Sequence, residues 1–355
     1  MIKSRKLISK IWRPDPDTSE RSNYFRFERN ERTTLYTDKQ FIDMLSKLSA
    51  FDFVAYGELE PFYKKVYEWL SVDRNNILLT SGSDAGIKAV YETFVSEGDE
   101  VLISLPNYAM FSAYTSMFGG EEVIQFYEKD LTLDVGKFVQ KINLNSKLVI
   151  ISNPSHTGTV LSEKEMVQIV EKARSNNSLV IIDEAYHHFF SETMINNIDK
   201  FENLIITRTF SKALGLASLR IGLLIGCKKI IDELYKVKLV HEITGVAAKI
   251  GTYMLDNLQI VDNYVDDVHK GKRILYDRLE NIGFEVLKSE SNFVFFKISN
   301  SLNPVELKQY LEENRILIKG PFDKHPFDNH LRITVGDEEQ MNNFCDTLDN
   351  FLINN

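Results

Sequence analysis

Short runs of apolar, mostly β-branched residues alternate with helical patterns through the first two thirds of the chain. Amphipathic stretches at 84–98 and 162–177 are predicted to be helices between such runs. Several of the runs are apolar without alternation, which is typical of strands covered on both faces in a mostly parallel sheet. Seven runs are predicted to be strands: 76–80, 100–105, 122–126, 147–152, 178–183, 203–209 and 220–226. The alternation of strands and helices predicts a large α/β/α sandwich around a seven-stranded sheet.

The pattern changes after about residue 245. A long helical run at 245–283 leads to strand-like residues at 284–298, a helix at 303–315 and a last strand at 330–336. This order predicts a second, smaller α+β domain. The first residues are predicted to form an extended arm. The expected domains are an arm at 1–45 that contributes to the small domain, a large domain at 46–245 and the small domain at 246–355.

Charge and cysteine content narrow the class of protein. The 355 residues include 51 acidic and 42 basic side chains, a net charge of −9 that disfavours nucleic acid as a partner. Two cysteines favour a reducing compartment over a disulfide framework. The basic start of the chain has no apolar segment of the kind that directs export, and no run reaches the length of a membrane span. A cytoplasmic protein without a membrane partner is expected.

The first candidate site follows the strand at 76–80. The sequence "SGSDAG" (81–86) leads directly into a helix, where small residues and free N–H groups attract an anion. A tight turn in which Ser83 or Asp84 caps the helix explains the same residues equally well. Ligands of open α/β sheets gather at the carboxyl ends of strands, so later strand ends decide between the two.

Three later strand ends carry further polar or aromatic residues. "PNYAMF" places Tyr108 where its ring could cover a flat ligand, although packing explains a single aromatic residue too. "NPSHTG" (153–158) is a turn with an amide and an imidazole. In "DEAYHHF", Asp183 ends an apolar strand, and a buried carboxylate needs a cation or hydrogen-bond donors. Tyr186 follows three residues later. No metal site is expected at the two adjacent histidines, because further ligands are lacking.

The sequence "RTFSKALGLASLRIG" (208–222) contains a single lysine, Lys212. Thr209 and Ser211 flank the lysine, and Arg220 follows eight residues later. Together with the anion site, a buried aspartate and a tyrosine, this order calls for a flat, phosphorylated heteroaromatic aldehyde whose ring nitrogen stays protonated.

These motifs resemble those of the fold-type I pyridoxal-phosphate enzymes of aminotransferase class I/II, and most of all histidinol-phosphate aminotransferase and its relatives. The similarity extends over most of the chain, from "RNE" (29–31) and "YGELEPFYKKVYEWL" to "SNFVFF" and "LRITVG". It implies the fold-type I architecture and pyridoxal 5'-phosphate (PLP) as cofactor.

The resemblance also implies roles for the ring-binding residues. Lys212 would hold the cofactor aldehyde as a Schiff base and later act as general acid/base. Asp183 would pair with the pyridine nitrogen, Tyr186 would bond the ring hydroxyl oxygen, and Tyr108 would stack on the ring. The phosphate would be bound at the helix start and by side chains after the later strands: Ser83, Asp84, Ala85, Thr209, Ser211 and Arg220.

Other implied roles concern the partner subunit and the substrate. Tyr56 would reach the phosphate of a neighbouring subunit, which implies a homodimer with shared sites. Arg332 would clamp the substrate carboxylate in a bidentate pairing. Asn30 is expected to contact substrate as well. Lys319 stands where relatives tend to have an arginine, which puts strict histidinol-phosphate specificity in doubt.

The turn at 153–158 also departs from the usual Asn-Pro-Thr-Gly. Aligned without a gap, Ser155 replaces the asparagine that touches the ring oxygen. If the loop is one residue shorter than usual, Asn153 takes that role, and this is the preferred assignment. A contact of His156 with the ring oxygen remains a third alternative.

Three functions remain at this stage. The preferred function is that of an aminotransferase. It would transfer an amino group between an amino acid, with glutamate as the expected donor, and a small keto or aldehyde substrate that can be phosphorylated. A PLP-dependent decarboxylase of a phosphorylated amino acid, such as threonine phosphate or serine phosphate, uses the same lysine and ring chemistry. A non-catalytic protein on this fold is disfavoured, because Lys212, Asp183 and Arg332 are all retained.

Overall fold

The computed structural model describes residues 2–11, 20–323 and 326–354. Residues 12–19 of the predicted arm lie outside the described residues. The arm contains a short strand, β1 (Phe25–Arg26), and a helix, α1 (Asp38–Leu45). The helix corrects the prediction of a wholly extended arm. Its start is fixed by a capping box in which Thr37 and Gln40 bond each other's backbone N–H groups.

A seven-stranded sheet forms the centre of the large unit, and helices cover both of its faces. Its strands are β2 (Ile77–Ser81), β3 (Glu100–Leu105), β4 (Glu121–Phe126), β5 (Ser146–Ser152), β6 (Leu179–Asp183), β7 (Leu204–Thr209) and β8 (Ile221–Gly226). Its helices are α2 (Phe51–Val54), α3 (Glu60–Leu70), α4 (Gly82–Phe94), α5 (Ala109–Phe118), α6 (Val135–Gln140), α7 (Glu163–Ser175) and α8 (Lys228–Tyr235). The strand order is β2-β8-β7-β6-β5-β3-β4, and only β8 runs antiparallel to its neighbours. The predicted mostly parallel sheet is confirmed.

The remaining elements build a separate three-stranded antiparallel sheet of order β12-β10-β9. They are α9 (Gly245–Asp256), α10 (Gln259–Asn281), β9 (Glu285–Leu287), β10 (Phe293–Lys297), α11 (Pro304–Glu313), β11 (Ile316–Leu317), β12 (His330–Thr334) and α12 (Glu338–Ile353). The single helical run predicted at 245–283 is wrong, because the backbone leaves the helical region at Asn257. The parallel pairing of β1 with β11 joins the arm to this unit. Because the two sheets are separate, we propose domain boundaries near residues 46 and 246.

The order of the sheet brings the carboxyl ends of β5, β6 and β7 to one edge, where β2 also ends. A buried ion pair holds two of these ends together: Arg208 of β7 donates to the Glu184 carboxylate after β6, with an Nη2–Oε2 distance of 2.8 Å. No helix in the described part of the chain is long and apolar enough to cross a membrane.

Candidate active site

A cavity of about 150 Å³ opens at this edge of the sheet. Its walls come from the start of α4, the turn after β5, the segments after β6 and β7, and the residue before β8. The lining residues are Ser83, Asp84, Tyr108, His156, Asp183, Ala185, Tyr186, Thr209, Ser211, Lys212 and Arg220. The structure therefore brings together, between Ser83 and Arg220, most of the candidate site residues predicted from the sequence.

One end of the cavity is built to hold an anion. Ser83 and Asp84 belong to the first turn of α4, where backbone N–H groups have no acceptor within the helix. Ala85 is the fourth helical residue, whose N–H can already bond back to Ser81, so the free donors precede it. Arg220 faces this helix start with a left-handed backbone, φ 53°. A side chain on Gly82 would collide with its guanidinium.

Threonine and serine hydroxyls complete this end. Thr209 is buried and Ser211 is half-buried, and the Ser211 N–H donates to Thr209 Oγ1 at 3.1 Å. A Cβ on Gly222 would collide with the backbone of Gly82 and Ser83, so this glycine permits the close approach of β8 to the helix start. A guanidinium, helix N–H groups and hydroxyls around one small space suit a phosphate group.

Asp183 also lines the cavity and is only 4% exposed. Its Oδ1 accepts hydrogen bonds from Thr207 Oγ1 at 2.8 Å and from the Ala185 N–H at 3.2 Å. Burial raises the pKa of this carboxyl to about 6, against the hydrogen bonds and the nearby Lys212, which lower it. A carboxylate in this environment suits a cationic N–H ligand.

Lys212 lines the same cavity. Its Nζ donates to the backbone carbonyl of Arg29 at 3.1 Å and lies 5.7 Å from the centre of the Tyr186 ring. Burial lowers the pKa of this amine to about 8, and the positive charge of Arg332 adds to that effect. A lysine with a lowered pKa is neutral more often, and a neutral amine is the nucleophile that attacks an aldehyde.

Two tyrosines flank the cavity. The Tyr108 hydroxyl donates to Asp84 Oδ1 at 3.1 Å, while the Tyr186 hydroxyl accepts from Asn30 Nδ2 at 2.9 Å. Burial raises the pKa of both phenols, and for Tyr108 the Asp84 carboxylate raises it further. Both phenols are therefore neutral and can donate hydrogen bonds at physiological pH.

Asn153, the preferred candidate for the ring-oxygen contact, does not line the cavity. Its side chain is buried behind the turn, where it accepts from the Leu161 N–H at 2.8 Å and donates to the Leu161 carbonyl at 3.1 Å. The Ser155 hydroxyl is shared with Thr157 at 2.6 Å and with Thr159 at 3.1 Å. The residue of this turn that lines the cavity is His156.

Arg332 approaches the cavity from β12 of the small unit. Its Nη2 donates to the Glu28 carbonyl at 2.9 Å, and its guanidinium lies 5.4 Å from the centre of the Phe293 ring. Its Nε is buried and has no hydrogen-bond partner among the described residues. Lys319 pairs with Arg332 through two backbone hydrogen bonds of 3.0 and 2.8 Å, and its side chain is exposed. Directly paired residues have side chains on the same face, so the two cations are neighbours.

Asn30 joins the arm to both domains. Besides its bond to Tyr186, its N–H donates to Thr334 Oγ1 at 2.9 Å and its Oδ1 accepts from that hydroxyl at 3.2 Å. The backbone is left-handed here, φ 55°, which asparagine tolerates better than most residues. Both ends of the Asn30 side-chain amide are therefore engaged within the protein, and Asn30 orients Tyr186. A direct contact with substrate, as expected from the sequence, is not needed to explain why an asparagine stands here.

Tyr56 lies in a different cleft of the same chain. It is 74% exposed and stacks on His241, with ring centres 3.8 Å apart, in a cavity of about 600 Å³ between residues 52–57 and 241–246. Neighbouring apolar side chains are also exposed, including Phe51, Phe53 and Val54. The carbonyl groups of Glu28 and Arg29, which accept from Arg332 and Lys212, could not be predicted from the sequence. A backbone acceptor is independent of residue type.

Comparison with known proteins decides the family. The model of the family described as "Aminotransferase class I and II" matches residues 22–348. A histidinol-phosphate aminotransferase of Caldanaerobacter subterraneus subsp. tengcongensis is 32% identical over 284 residues, which cover 79% of each chain. The chain belongs to the aminotransferase class I and II family. It is a PLP-dependent aminotransferase.

Solved structures show the same fold for this aminotransferase. A histidinol-phosphate aminotransferase from Sinorhizobium meliloti in complex with pyridoxal-5'-phosphate superposes with a TM-score of 0.85 at 21% identity, covering 97% of this chain and 96% of that one. An L-threonine-O-3-phosphate decarboxylase from Porphyromonas gingivalis superposes with a TM-score of 0.74 at 21% identity, covering 91% and 99%. At these identities the likeness concerns the fold, which is that of the fold-type I enzymes.

The residues of the cavity match the cofactor group by group. PLP carries a phosphate, an aldehyde and a ring nitrogen, and the aminotransferase offers an anion site, Lys212 and Asp183 around one cavity. Two buried nitrogens, Nδ1 of His156 and Nε of Arg332, have no hydrogen-bond partner among the described residues and are open to a polar ligand.

Proposed function

We propose that this aminotransferase exchanges an amino group between glutamate and a small phosphorylated keto or aldehyde compound of the histidinol-phosphate type, with Lys212 as the attachment point of the cofactor. The observation that carries the proposal is that the Lys212 amine, with its pKa lowered to about 8, shares one cavity with a buried carboxylate and an anion site. The relative that shares 32% of its residues with this chain is a histidinol-phosphate aminotransferase.

The ring end would be held by Asp183, Tyr186 and Tyr108. When bound, PLP supplies an electron sink for the α-carbon of the amino acid. Asp183 would keep the pyridine nitrogen protonated, which also gives the buried carboxylate the cation that it lacks among the described residues. The hydroxyl of Tyr186 would donate to the ring oxygen, and Tyr108 would cover one face of the ring.

Lys212 would have a second role after the substrate amine displaces it. As a general acid/base near neutral pH, its amine would remove a proton from the α-carbon of the substrate and deliver it to the aldehyde carbon of the cofactor. The Arg29 carbonyl accepts one N–H of this amine and thereby limits the directions in which its remaining groups point. The anchor of the cofactor phosphate would be the amides of Ser83 and Asp84 with the cavity-lining Thr209, Ser211 and Arg220. Ala85 would contribute only through the helix dipole.

Arg332 and Lys319 would bind the substrate. A guanidinium pairs with a planar carboxylate through two parallel hydrogen bonds, and Arg332 has a buried Nε available for one of them. That carboxylate would be the one of glutamate. With the other substrate, the exposed ammonium of Lys319, on the same face of the paired backbone, would attract the phosphate group. Asn30 would act on substrate through Tyr186.

A homodimer with shared sites would complete the cofactor pocket. Tyr56 and its apolar neighbours are exposed in the single chain, and burying apolar surface of this kind favours association. The Tyr56 hydroxyl of one subunit would reach the phosphate of the other. The exposed residues that would be covered include Phe51, Phe53 and Val54.

A cytoplasmic location would suit the cysteines. Cys227 and Cys345, which both lie in the described part of the chain, are unpaired thiols. Burial raises the pKa of Cys345 to about 12, so its reactive thiolate is suppressed. Neither thiol is needed for the proposed chemistry.

A substrate comparison tests this proposal. Purified protein with PLP and 2-oxoglutarate is given histidinol phosphate or histidinol, and glutamate formation is measured. We expect turnover with the phosphorylated donor and little with histidinol. Lys319→Ala should raise KM for the phosphorylated donor about tenfold and leave kcat unchanged, whereas Lys64→Ala, an exposed lysine on α3, should change neither.

Two results would contradict the proposal. Release of CO2 from threonine phosphate or serine phosphate, with no glutamate formed from histidinol phosphate, would assign decarboxylation instead. Equal KM values for both donors would remove the phosphate from the proposed substrate class.

A further inference from the structure

His156 is the one residue of the turn at 153–158 whose side chain lines the cavity. Its imidazole lies 6.0 Å from the Tyr108 ring, centre to centre, with the two planes within 18° of each other. It meets the Tyr186 ring edge-on, at 78° and also 6.0 Å. Because parallel rings in full contact lie closer together, the imidazole is not in full face-to-face contact with Tyr108. It stands beside the hydroxyl-bearing ring of Tyr186.

One nitrogen of the His156 imidazole, Nδ1, is buried and has no hydrogen-bond partner among the described residues. Its neighbours in the turn are different, because the Asn153 amide and the Ser155 hydroxyl are both engaged within the turn. A buried polar group without a partner calls for an explanation, and a bound ligand supplies one.

The charges around the ring keep it neutral. Burial lowers the pKa of His156 to about 3, and the positive charges of Arg332 and Lys212 lower it further. A neutral imidazole carries one N–H donor and one lone pair. The titratable groups that share its cavity are Asp84, Tyr108, Asp183, Tyr186, Lys212 and Arg220, and the charge of Arg332 also acts on it.

We propose that His156 is a positioning residue for the cofactor, and that its single N–H donates to the phenolic oxygen of PLP alongside the hydroxyl of Tyr186. The proposal rests on the proposed function, since it requires PLP attached to Lys212. It deepens that function by assigning the ring-oxygen contact to an imidazole.

The second donor has a measurable consequence. A phenolic oxygen that accepts two hydrogen bonds holds its negative charge more stably. It therefore attracts the proton of the neighbouring Lys212–cofactor linkage less, and the pKa of that linkage falls. Loss of the His156 donor should raise the pKa.

Two substitutions separate hydrogen bonding from ring packing. His156→Phe keeps a flat ring and removes the N–H, whereas His156→Asn keeps an N–H donor and removes the ring. Ser155→Ala is the control in the same turn, because its hydroxyl bonds Thr157 and Thr159. The absorbance of each PLP-loaded protein is titrated with pH without substrate, and cofactor affinity is measured by equilibrium titration.

We expect His156→Phe to raise the titration midpoint by about one pH unit, a tenfold change, and to weaken PLP binding. His156→Asn and Ser155→Ala should stay near the midpoint of the unchanged protein. An unshifted midpoint in His156→Phe would overturn the proposal if Tyr186→Phe, measured beside it, does shift. A shift in His156→Asn but not in His156→Phe would overturn it in favour of ring packing. If the unchanged protein showed no pH-dependent cofactor band at all, the proposed function itself would fail, and that outcome is distinct from the other two.

Discussion

The Lys212 amine donates a hydrogen bond of 3.1 Å to the backbone carbonyl of Arg29. The residues on either side of Arg29 make equivalent contacts: the Glu28 carbonyl accepts from Arg332 and the Asn30 amide donates to Tyr186. Three consecutive arm residues therefore each hold a different side chain of the site. The arm is part of the active site, and it fixes side chains from both domains relative to one another.

The lowered pKa of Lys212 makes cofactor attachment depend on pH. Only the neutral amine attacks the aldehyde, and below the pKa of about 8 the neutral fraction grows with pH. The rate at which PLP attaches to cofactor-free protein should rise about tenfold per pH unit up to about pH 7.5 and level off above about 8.5. Stopped-flow absorbance measures it. A rate that still rises steeply above pH 9 would mean that this lysine has an ordinary pKa.

Replacing Asp183 should separate stability from activity. The pKa of this carboxyl in the folded protein is raised, so its protonated form is favoured and stability is lost as pH rises from about 4 through about 6. In cofactor-free protein at pH 7.5, Asp183→Asn should therefore raise the free energy of unfolding by up to about 3 kcal/mol. The amide oxygen can still accept from Thr207. Urea unfolding measures the gain.

The same variant should lose transaminase activity by about a hundredfold or more, because a neutral amide cannot stabilise a protonated pyridine nitrogen.

The stability prediction for Asp183→Asn has its own control, which is to measure the free energy of unfolding of both proteins at several pH values. The gain should shrink toward zero near pH 3, where Asp183 is mostly protonated in both the folded and the unfolded state. A gain that is the same at every pH would show that burial of charge is not its cause.

Asn30 should act on the cofactor through Tyr186. Asn30→Gly removes the amide and keeps a residue that accepts the left-handed backbone. We expect this change to weaken PLP binding about fivefold, the worth of one hydrogen bond. In a Tyr186→Phe background the same change should have almost no effect, because the bonded hydroxyl is already gone. Equal losses in both backgrounds would give Asn30 a role independent of Tyr186.

Mixed dimers test the shared site. Tyr56→Ala and Lys212→Ala subunits, unfolded and refolded together, should recover up to about a quarter of the normal activity, because half of the dimers then contain one intact site. The control mixture of Lys212→Ala with Asp183→Ala should recover none, since both residues belong to the same subunit's cavity. Recovery in neither mixture would mean that Tyr56 serves the site of its own subunit, and normal activity of the Tyr56→Ala protein by itself would place Tyr56 outside the site.

The sheet could be predicted from sequence because its signal is local. Runs such as 178–183 and 203–209 are rich in β-branched residues and buried on both faces, and the observed strands Leu179–Asp183 and Leu204–Thr209 differ from them by one residue. The helix Asp38–Leu45 was missed although Thr37 and Gln40 form a capping box, since the surrounding polar residues hide its short apolar face. The end of α9 at Asp256 was missed because the apolar period continues across it.

The site could be predicted only where the chemistry lies in side chains at strand ends. Asp183, Tyr186, Lys212 and Arg220 meet because parallel strands end at a common edge, a rule that holds without coordinates. The ring-oxygen contact could not be assigned, because the choice between Asn153 and His156 depends on how one turn folds. There the Leu161 backbone takes the Asn153 amide out of the cavity.

The most direct test of the central claim is to locate the lysine that carries the cofactor. The PLP-loaded protein is reduced with borohydride and digested, and the modified peptide is identified by mass spectrometry. Lys272 is the matched control, since burial lowers the pKa of its amine to about 8 as well, yet its Nζ donates to the Ser289 carbonyl outside the cavity. The account predicts modification of Lys212, its loss in Lys212→Arg and its retention in Lys272→Met. Modification of Lys272, or a protein that carries no cofactor under saturating PLP, would contradict it.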